Sequence, residues 1–192
     1  MTNPPPLKPG SYYHIYNRGN NRENIFIEER NYSYFLRLWA KHIEPIAETL
    51  VYCLMFNHFH ALVHIKEGNK GNTKLPSQAF SNLFNAYART INMTYGRTGA
   101  LFQRPFGRIE VTSNDYLIHL TIYIHHNPQK HRFVQDFRDW SHSSYQAILS
   151  DKATRLARQM LLGIFEGRAN FEAAHRDERG IDHVDWIGED PD

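Results

Sequence analysis

Two histidines separated by one residue, His58 and His60, are the first feature of this sequence that could carry chemistry. Side chains of a β-strand alternate between its two faces, so a strand here would place both imidazoles on one face, about 6 to 7 Å apart along the chain. At that distance they could bind one divalent cation together. Histidine pairs of this kind also occur on ordinary sheet surfaces, so the pair alone does not establish a metal site.

A second group of polar residues recurs at helical spacing between residues 115 and 127. Tyr116, His119, Tyr123 and Asn127 follow one another at intervals of three and four residues, so they share one flank of a helix. Asn127 therefore lies one turn beyond Tyr123, and its amide oxygen is a hard ligand suited to Mg²⁺ or Mn²⁺. The alternative is a core tyrosine followed by an asparagine that caps the helix.

Together the two groups indicate a metal-assisted reaction at a phosphate. A phenol has a pKa near 10 and is a poor nucleophile at neutral pH, so it requires a polarised phosphate and a leaving group held in line. Two imidazoles and an amide carry no negative charge. A cation bound by them would keep its full charge for the phosphate.

The surrounding pattern predicts the elements that must position these residues. Residues 11–16 favour a strand, and Asn31 is expected to cap a helix that ends at Pro45. Strands are predicted over residues 49–56 and 58–65, with Phe59, Ala61, Val63 and Ile65 facing the core and the histidines facing the other side. Residues 76–96 predict an amphipathic helix that begins at Pro76 and ends at Gly96.

The remaining elements complete a recognisable order. A β segment is predicted over residues 100–112, then a helix capped by Ser113 or Asn114 that reaches about His126, where the following Pro128 favours an end. This order predicts an α+β class, a ferredoxin-like split βαβ antiparallel sheet with helices on one face. The catalytic helix follows the last strand. Three further helices are expected at residues 143–149, 154–164 and 169–176.

Composition limits the class of protein. A chain of 192 residues with 41% hydrophobic residues is expected to form one compact, cytoplasmic domain without a membrane span or signal peptide. Its single cysteine, Cys53, lies in an apolar run and is expected to be a buried thiol. The net charge is +2, but residues 166–192 carry −6, which leaves +8 on residues 1–165. A basic body suits nucleic-acid binding, although a solvated basic surface would have the same charge.

Five stretches of the sequence, covering about residues 11–150, make it resemble a known family. In order they are YHIYNRGNNRENIF, YCLMFNHFHALVHI, GALFQRPFGR, YIHHNP and WSHSSY. They resemble the single-tyrosine HUH transposases, and most closely the REP-associated tyrosine transposases. The resemblance implies that His58 and His60 bind Mg²⁺ or Mn²⁺ and that Tyr123 is the catalytic nucleophile. It implies Asn127 as the third metal ligand, where insertion-sequence relatives carry glutamine.

The function implied is a metal-dependent DNA transposase or strand transferase. Such an enzyme cleaves and rejoins single-stranded or hairpin, REP-like DNA through a 5′-phosphotyrosine intermediate. The loop after the first strand and the segment beside the catalytic helix are expected to contact DNA through Arg18, Asn20, Arg22, Arg104 and Arg108. Phe102 and Phe106 lie between these arginines and are expected to pack in the core, with stacking on unpaired bases as the alternative.

Composition and the predicted elements divide the chain into four parts. They are an extended arm (residues 1–10), the HUH catalytic domain (11–135), a helical C-terminal segment (136–176) and an acidic tail (177–192). A monomer is expected, with a dimer left open. One departure from the family is Phe56, where relatives commonly have proline before the asparagine and histidine of the HUH strand.

Two other functions compete with transposition. A domesticated protein could bind hairpin DNA without cutting it, for which the sheet and the basic body would suffice. A hydrolase of small phosphates or RNA could instead use His58, His60 and His64 with water, although that leaves the tyrosine helix without a role. The extra histidines His64, His119, His125 and His126 are expected to lie at the surface or behind the metal ligands.

Overall fold

The computed structural model describes residues 6–67 and 76–176. The first residues of the predicted arm and the whole predicted acidic tail, residues 177–192, lie outside these ranges. The helices and strands of the described ranges are β1 (Tyr12–Arg18), α1 (Glu29–His42), β2 (Ala47–Leu54), β3 (His58–Ile65), α2 (Pro76–Tyr95), β4 (Gly107–Val111), α3 (Asn114–Lys130), α4 (Tyr145–Leu149), α5 (Arg158–Ile164) and α6 (Arg168–Arg176).

The four strands form one antiparallel sheet in the order β2-β3-β1-β4. This is the order of a split βαβ arrangement, in which β3 and β1 are the central strands, and it confirms the predicted ferredoxin-like fold. Helices α1 and α2 pack on one face of the sheet, and α3 with the C-terminal helices packs on the other. The two central strands therefore run between two apolar layers.

The predicted alternation of β3 is confirmed. Phe59, Ala61, Val63 and Ile65 are buried against α1 and α2, whereas Leu62 belongs to the core beneath α3. His58 and His60 thus lie on the face that α3 covers. The predicted helix from Pro76 and the buried, free thiol of Cys53 are also observed.

Two predicted helix ends were wrong. Helix α1 is capped by Glu28, and Asn31 is the third helical residue, whose side chain accepts hydrogen bonds from the backbone N–H groups of Ile27 and Glu28. This reciprocal capping box satisfies donors at the helix start in place of an asparagine N-cap. Helix α3 begins at the Ser113 cap as predicted but continues past Pro128 to Lys130, because Leu120 to Pro128 are buried and packing offsets the lost hydrogen bond.

The C-terminal segment covers the edge of β2. Leu54 N–H donates to the carbonyl of His142, Ser144 N–H donates to the carbonyl of Tyr52, and Ala157 N–H donates to the carbonyl of Thr49. An exposed strand edge is thereby paired. No helix of the described residues is long and apolar enough to cross a membrane.

Candidate active site

The two histidines of the predicted metal pair lie side by side on β3. Their ring centroids are 5.3 Å apart, the rings are perpendicular, and both side chains are buried. In each ring Nδ1 has a hydrogen-bond partner. His58 Nδ1 lies 2.6 Å from Asn57 Oδ1, and His60 Nδ1 lies 2.9 Å from His14 Nε2. These contacts orient both rings and direct their Nε2 atoms away from the neighbours that hold them.

Helix α3 lies across this pair. The ring of Tyr123 meets the ring of His60 edge to face with centroids 5.7 Å apart, and the ring of His131 lies 5.0 Å from that of His58. Tyr123, Asn127 and His131 follow at intervals of four residues, so Asn127 lies between the two contacts on the same flank. The structure therefore brings together the four residues that the sequence singled out, His58, His60, Tyr123 and Asn127.

Asn127 is suited to a ligand role by its own contacts. Its side-chain N–H donates to the carbonyl of Tyr123 at 3.1 Å, and its Oδ1 is buried with no hydrogen-bond partner in the described part of the chain. A buried amide oxygen without a partner is costly unless something binds it. No group of three or more His, Cys, Asp or Glu side chains within residues 6–67 and 76–176 could hold a metal ion. A cation here would depend on this amide as its third protein ligand.

One further tyrosine, Tyr16, lies against the pair. Tyr16 stacks at 5.8 Å on His60, and its ring lies over Gly107, where an added Cβ would come within 2.2 Å of it. Gly107 thus allows Tyr16 to reach the site. Burial raises the pKa of Tyr16 and the pKa of Tyr116, which makes both poorer nucleophiles than an ordinary phenol. Lys130 places its ammonium 5.1 Å from the centre of the Tyr123 ring.

Of the predicted DNA contacts, Arg18 lies nearest to the pair. It is the register partner of His58 in the β1-β3 ladder, so the two side chains share one face of the sheet. The loop after β1 contacts the segment before β4, because Asn20 N–H donates to the carbonyl of Leu101 and Gln103 N–H donates to the carbonyl of Arg18. Arg22 in this loop is exposed.

Arg104 and Arg108 do not lie beside the catalytic helix as predicted. They line a cleft of about 600 Å³ between α2 and residues 99–108, on the face of the sheet opposite α3. The reason is strand alternation, because Arg108 pairs with Ile15, which faces α2. Phe106 lies 4.7 Å beneath the Arg108 guanidinium, and both Phe102 and Phe106 are buried against Phe84, so they pack in the core as expected.

Three of the extra histidines, His64, His125 and His126, lie away from the pair. His64 contacts Glu48 and Tyr12 farther along β3, which rules out a three-histidine site with His58 and His60. His125 and His126 face the C-terminal helix α6. Three residues around the pair were not predicted from the sequence, namely His14, Tyr16 and His131. The register of β1 against β3 identifies the first two, and the spacing of four residues after Asn127 identifies the third.

Comparison with known proteins supports the fold. No family model and no curated protein matches the chain. A solved structure of the REP-associated tyrosine transposase bound to a REP hairpin matches with a TM-score of 0.59 over 79% of this chain and 86% of that one. The chain has the fold of that transposase. This agrees with the family resemblance of the sequence motifs. At 17% identity this match shows the fold alone.

Proposed function

We propose that this protein is a metal-dependent DNA transposase or strand transferase that cuts and rejoins single-stranded or hairpin DNA. The observation that carries the proposal is the placement of Tyr123 against His60, with the buried Asn127 oxygen one helical turn away. The resemblance of the motifs and the match to a transposase bound to a REP hairpin support DNA as the substrate.

The reaction proposed is a direct exchange of phosphate esters. The Tyr123 hydroxyl oxygen bonds to the phosphorus, the bond from phosphorus to the 3′ oxygen breaks, and the phenol proton is balanced by the proton gained at that oxygen. The products are a 5′-phosphotyrosine and a free 3′-hydroxyl. Because the phosphodiester energy is kept, attack by another 3′-hydroxyl restores a DNA strand and releases Tyr123.

The side chains divide the work between them. His58, His60 and Asn127 would hold Mg²⁺ or Mn²⁺, which when bound would polarise the scissile phosphate. Arg18, opposite His58 in the sheet, would bind a phosphate oxygen through its guanidinium. Asn57 and His14 keep the two imidazoles in place. Exposed Arg22 and Arg104 would contact the DNA backbone farther from the cut.

One observation favours the alternative of a hairpin-binding protein that does not cut. Tyr123 is 5% exposed and His58 and His60 are 4% and 2% exposed, so neighbouring groups must move before a phosphate reaches them. Binding and cutting are therefore tested separately.

The deciding experiment is a search for a covalent adduct. The protein is incubated with labelled hairpin DNA and Mn²⁺, denatured, and examined for DNA that stays attached to it. We expect an adduct with the wild type and none with Tyr123→Phe, which removes only the hydroxyl, while the affinity of both for the hairpin is equal within about twofold.

Two matched controls test other tyrosines. Tyr16→Phe removes a hydroxyl from the ring that stacks on His60, Tyr116→Phe removes one from the same flank of α3 as Tyr123, and both variants should still form the adduct. An adduct that persists in Tyr123→Phe would show that another residue is the nucleophile. Hairpin binding by the wild type without any adduct would support the binding protein instead.

A further inference from the structure

An exposed group of aromatic side chains lies next to the candidate site. Phe56 is 40% exposed and Phe133 is 36% exposed, and their rings meet at 5.0 Å. The ring of Trp140 lies 5.3 Å from Phe56 and 5.9 Å from Phe133. These three residues are called the aromatic platform. Apolar rings at the surface lose the burial that ordinarily stabilises them, so a shared exposed face indicates a binding surface.

The platform is continuous with the histidine pair, His58 and His60. Phe133 stacks at 5.9 Å on His131, whose ring in turn lies 5.0 Å from that of His58. On the other side, Phe56 directly precedes Asn57, whose side chain holds His58. A ligand on the platform would thus lie within two aromatic side chains of a residue proposed to hold the metal.

The platform is held in place from behind. The indole N–H of Trp140 donates to the carbonyl of Leu54 at 2.9 Å, and the carbonyl of Phe56 accepts hydrogen bonds from the N–H groups of Ile25 and Phe26. Because the backbone and the indole are already fixed, little conformational entropy is lost when a flat ligand stacks on the rings.

Positive charge flanks the platform. Lys130 and Arg132 are exposed on either side of His131, immediately before Phe133. Two acidic residues lie in the same stretch: Asp136 is paired with Arg138, and the exposed Asp139 directly precedes Trp140. Cations beside aromatic rings suit a ligand that has both a flat apolar face and a phosphate, which is the chemistry of a nucleotide.

We propose that the aromatic platform binds an unpaired DNA base next to the phosphodiester that Tyr123 attacks. This inference rests on the proposed function and adds to it a surface on this chain that would hold the base beside the cut. Three side chains are far too small a surface for a stable protein partner, which needs about 800 Å² on each side.

The spacing of the rings determines how a base would bind. A base held between two rings needs about 7 Å between them, two contacts of about 3.5 Å each. Phe133 and Trp140 are 5.9 Å apart and leave too little room. The base would therefore stack on the outer, exposed face of Phe133 or Phe56.

The test compares two DNAs in the non-cleaving Tyr123→Phe protein. One is a blunt hairpin, and the other carries an unpaired extension with 2-aminopurine placed at each position in turn. We expect 2-aminopurine fluorescence to be quenched at one or two positions of the extension. Phe133→Ala and Phe56→Ala should remove that quenching and weaken binding of the extended hairpin about 5- to 30-fold, as loss of one stacked base predicts.

Three controls make the outcome decisive. The blunt hairpin should bind to all variants with affinities that agree within about twofold. Phe133→Trp should restore binding of the extended hairpin. Met93→Ala should leave both affinities unchanged, since Met93 is exposed on α2 away from the platform.

Unchanged binding of the extended hairpin by both alanine variants, or an equal loss of affinity for the blunt hairpin, would overturn the platform. A wild type that cuts hairpins while the alanine variants bind normally would overturn the platform alone. A wild type that neither binds nor cuts DNA would overturn the proposed function as well.

Discussion

His14 is the residue that most directly determines how His60 is presented. If His60 offers Nε2 to a cation, its Nδ1 must carry the proton and donate to His14 Nε2, 2.9 Å away. His14 would therefore act as a hydrogen-bond acceptor that selects one tautomer of His60, the role that a carboxylate or carbonyl commonly has behind a metal-binding histidine.

We predict that His14→Phe weakens Mn²⁺ binding about 10- to 100-fold, because removing such a partner typically has that effect. His14→Gln keeps an acceptor oxygen and should retain most of the affinity. Electron paramagnetic resonance of free Mn²⁺ during a titration measures both values without any need for activity. Equal Mn²⁺ affinity in His14→Phe and the wild type would show that His14 does not position the ligand.

Replacement of the proposed metal ligands should affect both cleavage and Mn²⁺ binding. His58→Ala and His60→Ala should abolish cleavage and weaken Mn²⁺ binding. Asn127→Ala should weaken both less, because the oxygen of a water molecule can replace the neutral amide oxygen. His64→Ala is the matched control on the same strand and should behave as the wild type. EDTA should inhibit the wild type, with recovery on adding Mg²⁺ or Mn²⁺. If all three ligand variants bind Mn²⁺ normally, the metal site lies elsewhere.

A chain of hydrogen bonds connects helix α6 to helix α3 and to strand β2. His175 Nδ1 donates to the carbonyl of Phe171, so its Nε2 accepts from His125 Nδ1. His125 Nε2 then accepts from the hydroxyl of Ser144, whose oxygen accepts the N–H of Tyr52. Each direction follows from the carbonyl at one end if both imidazoles are neutral. This chain fixes the rotation of α3, which carries Tyr123.

Both imidazoles are held neutral by burial. Burial lowers the pKa of His125 well below its ordinary value and lowers the pKa of His175 to about 3. In the unfolded chain a histidine takes up a proton near pH 6.5, whereas folded His175 does so only near its lowered pKa. Between these values the unfolded state binds more protons, so stability falls as the pH decreases.

For His175 alone, this linkage removes about 2 kcal/mol of unfolding free energy between pH 7 and pH 5. His175→Gln keeps a donor and an acceptor but does not titrate, so we predict a smaller loss of stability over this range. Urea unfolding at several pH values measures the difference. Parallel pH profiles for the two proteins would show that His175 is not the residue responsible.

The site residues that could be predicted from the sequence are those whose positions depend on local spacing. Tyr123 and Asn127 were predictable because a spacing of four residues is local, and His58 and His60 because strand alternation is local. His14 was not, because its place beside His60 depends on the register of two strands far apart in sequence. The end of α3 was misplaced because burial of Asn127 and its neighbours offsets the effect of Pro128, which propensity alone cannot show.

Over the whole molecule, the sheet separates two basic regions. Arg18 lies on the face covered by α3, whereas Arg104 and Arg108 line the cleft beside α2. The loop after β1 and the segment before β4 are hydrogen-bonded to each other, so the two regions meet at one end of the sheet. A DNA that contacts both would wrap around that end, and its affinity should depend strongly on salt.

The acidic tail, residues 177–192, is expected to compete with DNA for the basic part of the chain. Removing them deletes seven acidic residues and one arginine, a change of +6 on a chain whose residues 1–165 carry +8. Acidic residues compete with phosphates for the same cations over about 10 Å at ordinary ionic strength. We therefore predict that the truncated protein binds random single strands more tightly and less selectively than the full chain, most visibly at low salt. Affinities across a salt series measure this, with a hairpin as the reference DNA. Superimposable curves for the two proteins would show that the acidic tail does not compete with DNA.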